Sequence, residues 1–298
     1  MLRIGYIGLG LMGKPICRNL MKSGYPLIVL NRSKAVMEEL ASEGAKTAST
    51  PAEVAGQVDI IFTNLPDSPD VEKVVLGKDG ILEGSHPGLI YVDNSTIKPA
   101  TARMLAEILA DRGIDALDAP VSGGEIGAIN GTLTIMVGGS KKALEVALPV
   151  LEAIGKTITH IGGPGSGQIA KAANQIMVSA QMVAMAELLV FSQKAGADPR
   201  KVVEAIKGGS AQCWTLDVKP PRLFSGNRTP GFKARMQAKD LNIVLETARE
   251  YTIPLPATAL GSQLFNAMVA EGMGDQDNSA VIAILEQLAG ITLQEIKT

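Results

Sequence analysis

The stretch Ile4-Gly5-Tyr6-Ile7-Gly8-Leu9-Gly10-Leu11-Met12-Gly13 decides how the rest of the chain is read. An apolar run ends at Ile7, glycines follow at once, and an amphipathic pattern over residues 12–23 leaves them. Strand, glycine turn and helix in that order form the context a dinucleotide-binding turn requires. Gly8 allows the tight turn, Gly10 lets backbone N–H groups approach a pyrophosphate, and Gly13 lets the helix pack closely on the sheet. The predicted cofactor contacts are therefore Gly8, Leu9, Gly10, Leu11, Met12 and Gly13. Glycines also merely terminate strands, and it is the flanking strand and helix that give the spacing its weight.

Outward from this turn, short β-branched runs at residues 3–7, 27–30, 59–63, 89–92, 114–116 and 133–137 read as strands. Helical patterns at 12–23, 34–43, 99–112 and 141–154 lie between most of them, which predicts crossovers, a largely parallel sheet and a doubly wound α/β domain. Gly162-Gly163-Pro164-Gly165-Ser166-Gly167 continues neither strand nor helix, and strand signals nearly vanish beyond it. We accordingly expect a nucleotide-binding domain over 1–162 and an all-α domain over 163–298. Residues 168–194 carry almost no breaker and predict one helix of roughly 40 Å at 1.5 Å per residue. Further helices are predicted at 199–206, 239–251, 258–271 and 279–288.

Composition excludes several functional classes. Hydrophobic residues are 46% and charged residues 19% of the chain, enough aliphatic bulk for large cores and no signature of disorder. Lys plus Arg (28) nearly balances Asp plus Glu (30), and no basic patch is interleaved with aromatics, so nucleic acid is not an expected partner. Gln181 and Glu187 interrupt the longest apolar run, residues 176–191, and no secretion signal opens the sequence, so neither a membrane nor export is expected. Cys17 and Cys213 lack metal-ligand spacing; a cytoplasmic protein without a bound metal is expected. The two histidines are His86 and His160, so chemistry in the second half needs another acid or base.

At the end of the second strand, Asn31-Arg32-Ser33-Lys34 stands where NAD-binding domains usually offer a carboxylate to the ribose. A guanidinium and a hydroxyl there favour a 2′-phosphate, hence NADP as the preferred cofactor, with NAD as the alternative. Arg32 and Lys34 also suit a solvated loop. Leu65-Pro66 and Thr96 follow later strands, at the crevice where ligands of doubly wound sheets lie. Asp118-Ala119-Pro120-Val121-Ser122-Gly123-Gly124 closes another strand with a hydroxyl and two small residues, a set of donors suited to a carboxylate or a loop shaped for chain reversal. Lys171, Asn174 and Gln175 share one helix face among apolar neighbours. Such a lysine is often a snorkelling surface residue, and, partly desolvated, it is also a tunable proton donor. Lys239-Asp240-Leu241 begins a predicted helix, where the macrodipole explains Asp240 and leaves Lys239 unexplained.

Together, the N-terminal glycine turn, the run from Asp118 to Gly124, Gly165-Ser-Gly-Gln-Ile-Ala-Lys171-Ala-Ala-Asn174-Gln175 and Lys239-Asp240-Leu241 resemble the β-hydroxyacid dehydrogenase family, in family order over essentially the whole chain. The resemblance implies a Rossmann domain and an all-helical domain joined by a long helix, assembled as homodimers or homotetramers. It implies Lys171 as the catalytic lysine, Ser122, Gly123 and Gly124 as the substrate-carboxylate loop, Asn174 as a substrate-side amide and Lys239 beside both cofactor and substrate. Leu65, Pro66 and Thr96 take cofactor-lining positions, as do Asn31, Arg32 and Ser33. Asn174-Gln175 and Asp118 to Glu125 look most similar to the tartronate semialdehyde reductases of the family, while Cys213-Trp214 is similar to its 3-hydroxyisobutyrate dehydrogenases. The expected reaction is NADP(H)-dependent reduction of a small carboxylate-bearing aldehyde to the hydroxy acid. The same-class alternative is a 3-hydroxyisobutyrate dehydrogenase or another semialdehyde or glyoxylate reductase of the same family. A non-catalytic NADP-binding redox sensor is the rival from another class, and it would need neither Lys171, Asn174 nor the Ser122 loop.

Overall fold

The computed structural model describes residues 1–293, and the chain divides into two units, Met1–Lys171 and Ala172–Thr298. In the first unit the elements run β1 (Ile4–Ile7), α1 (Gly13–Lys22), β2 (Leu27–Leu30), α2 (Lys34–Ser42), β3 (Lys46–Thr47), α3 (Pro51–Ala55), β4 (Ile60–Thr63), α4 (Ser68–Leu76), α5 (Ile81–Gly84), β5 (Ile90–Asp93) and α6 (Pro99–Ala110). Then come β6 (Asp115–Asp118), β7 (Val121–Ser122), α7 (Gly124–Asn130), β8 (Leu133–Gly139), α8 (Lys141–Glu152), β9 (Gly155–Gly162) and the start of α9 (Ser166–Lys194).

The strand order β3-β2-β1-β4-β5-β6 is that of a Rossmann sheet, parallel throughout. The central strands are apolar at nearly every position because both faces are covered. Alternation along them sorts the side chains: Ile4, Tyr6, Ile60, Phe62, Ile90 and Val92 join one core, and Ile7, Ile61 and Tyr91 join the other. The first core is sealed by α1, α2, α7 and α8 through residues such as Ile16, Leu20, Leu40 and Val150, the second by α3 to α6 through Val54, Val71, Ile81 and Leu105. The expected doubly wound layer is therefore present.

The sheet departs from the expected parallel pattern beyond β6. β8 runs antiparallel to β6 and β7, because the chain returns after only the short α7 instead of crossing over the sheet, and β9 then adds parallel to β8.

Register brings four strand ends level: Ile7 pairs with Thr63, Thr63 with Asp93, and Asp93 with Asp118. The segments that follow them, starting at Gly8, Asn64, Asn94 and Ala119, therefore leave one edge of the sheet together.

The second unit is helical, as expected: the remainder of α9, then α10 (Pro199–Ile206), α11 (Trp214–Phe224), α12 (Ala234–Glu250), α13 (Pro256–Ala270), a 3-10 turn (Asn278–Val281) and α14 (Ile282–Ala289). Among the described residues, α9 is the one helix long and apolar enough to cross a membrane by length and composition. Its Met182, Met185, Ala186, Leu189 and Val190 are instead part of the core of this unit, with Phe265, Met268 and Leu241. α11 is not among the expected helices, and it carries Pro220 and Pro221 inside it, residues that ordinarily interrupt a helix. It persists because Leu216, Leu223 and Phe224 bury in that core and because Lys219 reaches the buried Asp277 carboxylate at 2.7 Å.

Asp277 also accepts from the Ser279 hydroxyl (2.6 Å) and from the backbone N–H groups of Gly231 (2.9 Å) and Ser279 (3.1 Å). Deleting the carboxylate leaves a buried ammonium with only the neutral Asn278 side-chain oxygen at 3.2 Å as acceptor, whereas deleting the ammonium leaves the carboxylate four donors, the fourth being the Phe232 N–H at 3.4 Å. Asp277→Ala should therefore cost about 3–5 kcal/mol in chemical denaturation, and Lys219→Met clearly less.

Candidate active site

Each glycine of the first turn meets a different constraint. A Cβ on Gly8, whose φ is +102°, would lie 2.2 Å from the Asn64 carbonyl oxygen, and one on Gly13 would lie 1.9 Å from the Gly8 carbonyl oxygen. Both glycines are demanded by the protein's own packing. Gly10 is exposed, and a Cβ there would meet nothing within 4 Å. Its small size answers to no neighbour in the chain and fits a ligand approaching the N-terminal turn of α1, which the pyrophosphate of a dinucleotide would do. Leu9, Leu11 and Met12 complete this turn.

Asn31 ends up with a bracing role: its side-chain oxygen accepts from the Leu9 N–H at 3.0 Å, tying the glycine turn to the end of β2. Arg32, Ser33 and Lys34 beside it are exposed. Leu65 and Thr96 are half-buried and Pro66 is exposed at the adjoining strand ends. Asn94, by contrast, is buried and donates to the Ala119 carbonyl at 2.7 Å, a structural use. Both histidines are held at backbone carbonyls, His86 at Val58 (3.0 Å) and His160 at Gly139 (2.8 Å).

Ser122 ends β7, half-buried, and Gly123 follows with φ of +132°, a conformation that favours glycine. Lys171, on the second turn of α9, is 7% exposed, and its Nζ donates to the Val121 carbonyl oxygen at 2.9 Å. The ammonium thus sits at the residue preceding Ser122-Gly123-Gly124. The start of α9 is held by Asp118, whose two carboxylate oxygens accept from Gly165 N–H (2.7 Å) and Gln168 N–H (2.8 Å). Burial pushes this carboxyl up to about 6, against the downward pull of those amides.

Within the second unit, Asn174 donates to the Gln175 side-chain oxygen (2.8 Å), Gln175 donates to the Asp240 carboxylate (2.6 Å), and Lys239 pairs with Asp240 at 2.7 Å. The expectation that residues 239–240 begin a helix is corrected: α12 starts at Ala234, because the segment preceding Lys239 continues the helical pattern. Asp240 is therefore explained by the buried amide of Gln175 and its lysine neighbour, not by the macrodipole.

Two known domain families match this chain: the NAD binding domain of 6-phosphogluconate dehydrogenase over residues 3–162, and the NAD-binding domain of NADP-dependent 3-hydroxyisobutyrate dehydrogenase over residues 165–285. The 2-hydroxy-3-oxopropionate reductase of Escherichia coli (strain K12) is 43% identical, over 97% of this chain and 98% of its own. The chain belongs to the 3-hydroxyisobutyrate dehydrogenase-like family of NAD(P)-dependent β-hydroxyacid dehydrogenases. Among solved structures of this family, Mycobacterium tuberculosis 3-hydroxyisobutyrate dehydrogenase with L-serine superposes with a TM-score of 0.87 at 30% identity, covering 96% of this chain and 99% of that one. Psf3 in complex with NADP+ and 2-OPP gives 0.87 at 28% identity, covering 95% and 99%.

Sequence reasoning for this family member left out Gln168, Asp118 as a helix anchor, and Asp240 as the partner of Gln175. Their hydrogen bonds span distant segments, and no local pattern announces them. One signal was available: Gln168 is a lone amide among Ile169, Ala170, Ala172 and Ala173. The glycine turn yields a direct test. Gly10→Val should melt within a few degrees of wild type yet bind NAD(P)H at least roughly tenfold more weakly by fluorescence titration, whereas Gly13→Val should fail to fold stably.

Proposed function

We propose that this enzyme reduces a small carboxylate-bearing aldehyde of the tartronate semialdehyde type to the corresponding hydroxy acid with NADPH. The observation that carries the reading is the 2.9 Å hydrogen bond from Lys171 Nζ to the carbonyl of Val121, at the threshold of the Ser122-Gly123-Gly124 loop. A proton donor and a carboxylate-binding loop are thereby adjacent, which is what a semialdehyde acid needs at its two ends. The 43% identity to the Escherichia coli 2-hydroxy-3-oxopropionate reductase supports the same substrate class.

When bound, the reduced nicotinamide supplies the hydride. In the proposed mechanism the Ser122 hydroxyl and the neighbouring backbone N–H groups hold the substrate carboxylate and so fix which carbon faces the cofactor. The Lys171 ammonium hydrogen-bonds the carbonyl oxygen, stabilises the negative charge that grows there, and delivers the proton. Asn174, one turn further along α9, is proposed to orient the same oxygen, and Lys239 to add positive potential. In the reverse direction neutral Lys171 accepts the hydroxyl proton. A redox sensor would need neither this lysine nor this loop.

Preference for NADPH is assigned to Arg32 and Ser33 at the end of β2, which present a guanidinium and a hydroxyl to a 2′-phosphate, with Lys34 nearby. Leu65, Pro66 and Thr96 are proposed to line the nucleotide. A cytoplasmic homodimer or homotetramer is the assembly proposed on the family resemblance.

Three measurements check this reading. Arg32→Ala should lower kcat/KM for NADPH by roughly tenfold or more, the worth of a charge-assisted contact of about 1.5–3 kcal/mol, and leave NADH unaffected; an unchanged ratio removes Arg32 from the cofactor site. A semialdehyde acid should be reduced far better than its methyl ester, and equal kcat/KM would take the Ser122 loop out of substrate binding. Lys171→Ala should cut kcat by roughly 10²- to 10⁴-fold with NADPH affinity nearly intact, and Lys171→Arg should be almost as damaging because guanidinium does not give up its proton at working pH.

A further inference from the structure

Gln168 lies three residues before Lys171 on α9 and is 1% exposed. Its side chain makes two hydrogen bonds to one loop: Oε1 accepts from the Ile97 N–H at 3.1 Å, and Nε2 donates to the Ser95 carbonyl oxygen at 2.8 Å. Those two backbone groups flank Thr96. An amide offers one acceptor and one donor side by side, and the loop presents their complements. The same loop is tied to the next strand end, since the Ser95 hydroxyl accepts from Leu65 N–H at 2.8 Å. The backbone of Gln168 is meanwhile held by Asp118 at 2.8 Å.

The approach is close enough to be paid for in side chains. A Cβ on Gly138 would lie 2.4 Å from the Asp118 carboxylate, and one on Gly167 would lie 2.3 Å from the Asp118 carbonyl oxygen. The first turn of α9 is thus pressed onto the ends of β6 and β8, pinned by a carboxylate on one side and an amide clamp on the other.

We infer that Gln168, seated on Asp118, is a positioning residue that holds the turn carrying Lys171 at a set distance from the Ser95–Thr96–Ile97 segment. The inference rests on the proposed roles of Lys171 as proton donor and Thr96 as a cofactor-lining residue. Lysine has four rotatable side-chain bonds and cannot place its own ammonium; its backbone must be fixed first. Gln168 fixes it in rotation and translation, because its main chain and both ends of its amide are all engaged. Misplacement of a reacting group by about 1 Å can cost 10²-fold in rate, so a loosened clamp acts on the chemical step before it acts on affinity.

The test compares Gln168→Met, which keeps the length and loses both hydrogen bonds, with Gln168→Glu, which keeps an acceptor for Ile97 and turns a carboxylate oxygen toward the Ser95 carbonyl. If the Met variant does not fold, the Glu variant decides by the same criteria. Both should lower kcat by roughly tenfold or more with KM for the semialdehyde within about threefold, and the primary isotope effect with 4-deuterated NADPH should rise as the hydride step becomes limiting. A residue needed only for folding lowers the active fraction and leaves the isotope effect unchanged. Without nucleotide, the Ile97 amide should exchange with solvent faster in the Met variant than in wild type. Lys171→Ala is assayed in parallel. Wild-type kcat and isotope effect in a folded Gln168 variant, with Lys171→Ala crippled, overturn the positioning role alone; an active Lys171→Ala overturns the reading of the lysine, and this inference with it.

Discussion

Much of the first unit's geometry around Lys171 depends on one carboxylate. Asp118 ends β6 level with Asp93 and Thr63, and its oxygens take up two N–H groups at the start of α9, Gly165 and Gln168. These are among the donors a helix cannot satisfy within itself. Burying a carboxyl is costly, and here the cost shows as an ionisation pushed up to about 6. The return is positional: the helix that bears Lys171 starts at a defined point on the sheet edge, next to the loops that follow β4 and β5. Glycines at 138 and 167 make the approach sterically feasible.

This dependence explains which parts were readable from the sequence. The glycine turn, the strands β1, β2, β4 and β5 and the helix α10 follow local rules of periodicity and turn chemistry, and they came out nearly residue for residue, whereas the two-residue β3 was not read. Lys171 stood out because a lysine among Ile169, Ala170, Ala172 and Ala173 breaks a pattern. What stayed hidden was non-local. The antiparallel run of β8 depends on how short α7 proves to be. α11 survives two prolines through core contacts and an ion pair from far along the chain. The start of α12 was read five residues late, at the conspicuous Lys239-Asp240 pair, though the helix had begun at Ala234.

The proposed role of Lys171 as proton donor also has a physical basis. Both histidines are engaged with backbone carbonyls elsewhere in the first unit. An ammonium anchored on the Val121 carbonyl combines in one group the charge that stabilises an alkoxide and the proton that neutralises it.

The most direct measurement of this account is the pH dependence of kcat/KM for aldehyde reduction in wild type and in Lys171→Ala. A general acid must carry its proton, so the wild-type rate should fall with a single deprotonation as pH rises, and that break should vanish in the variant, leaving a low, flat profile over the same range. The same break persisting in Lys171→Ala would assign the proton to another group and contradict the account.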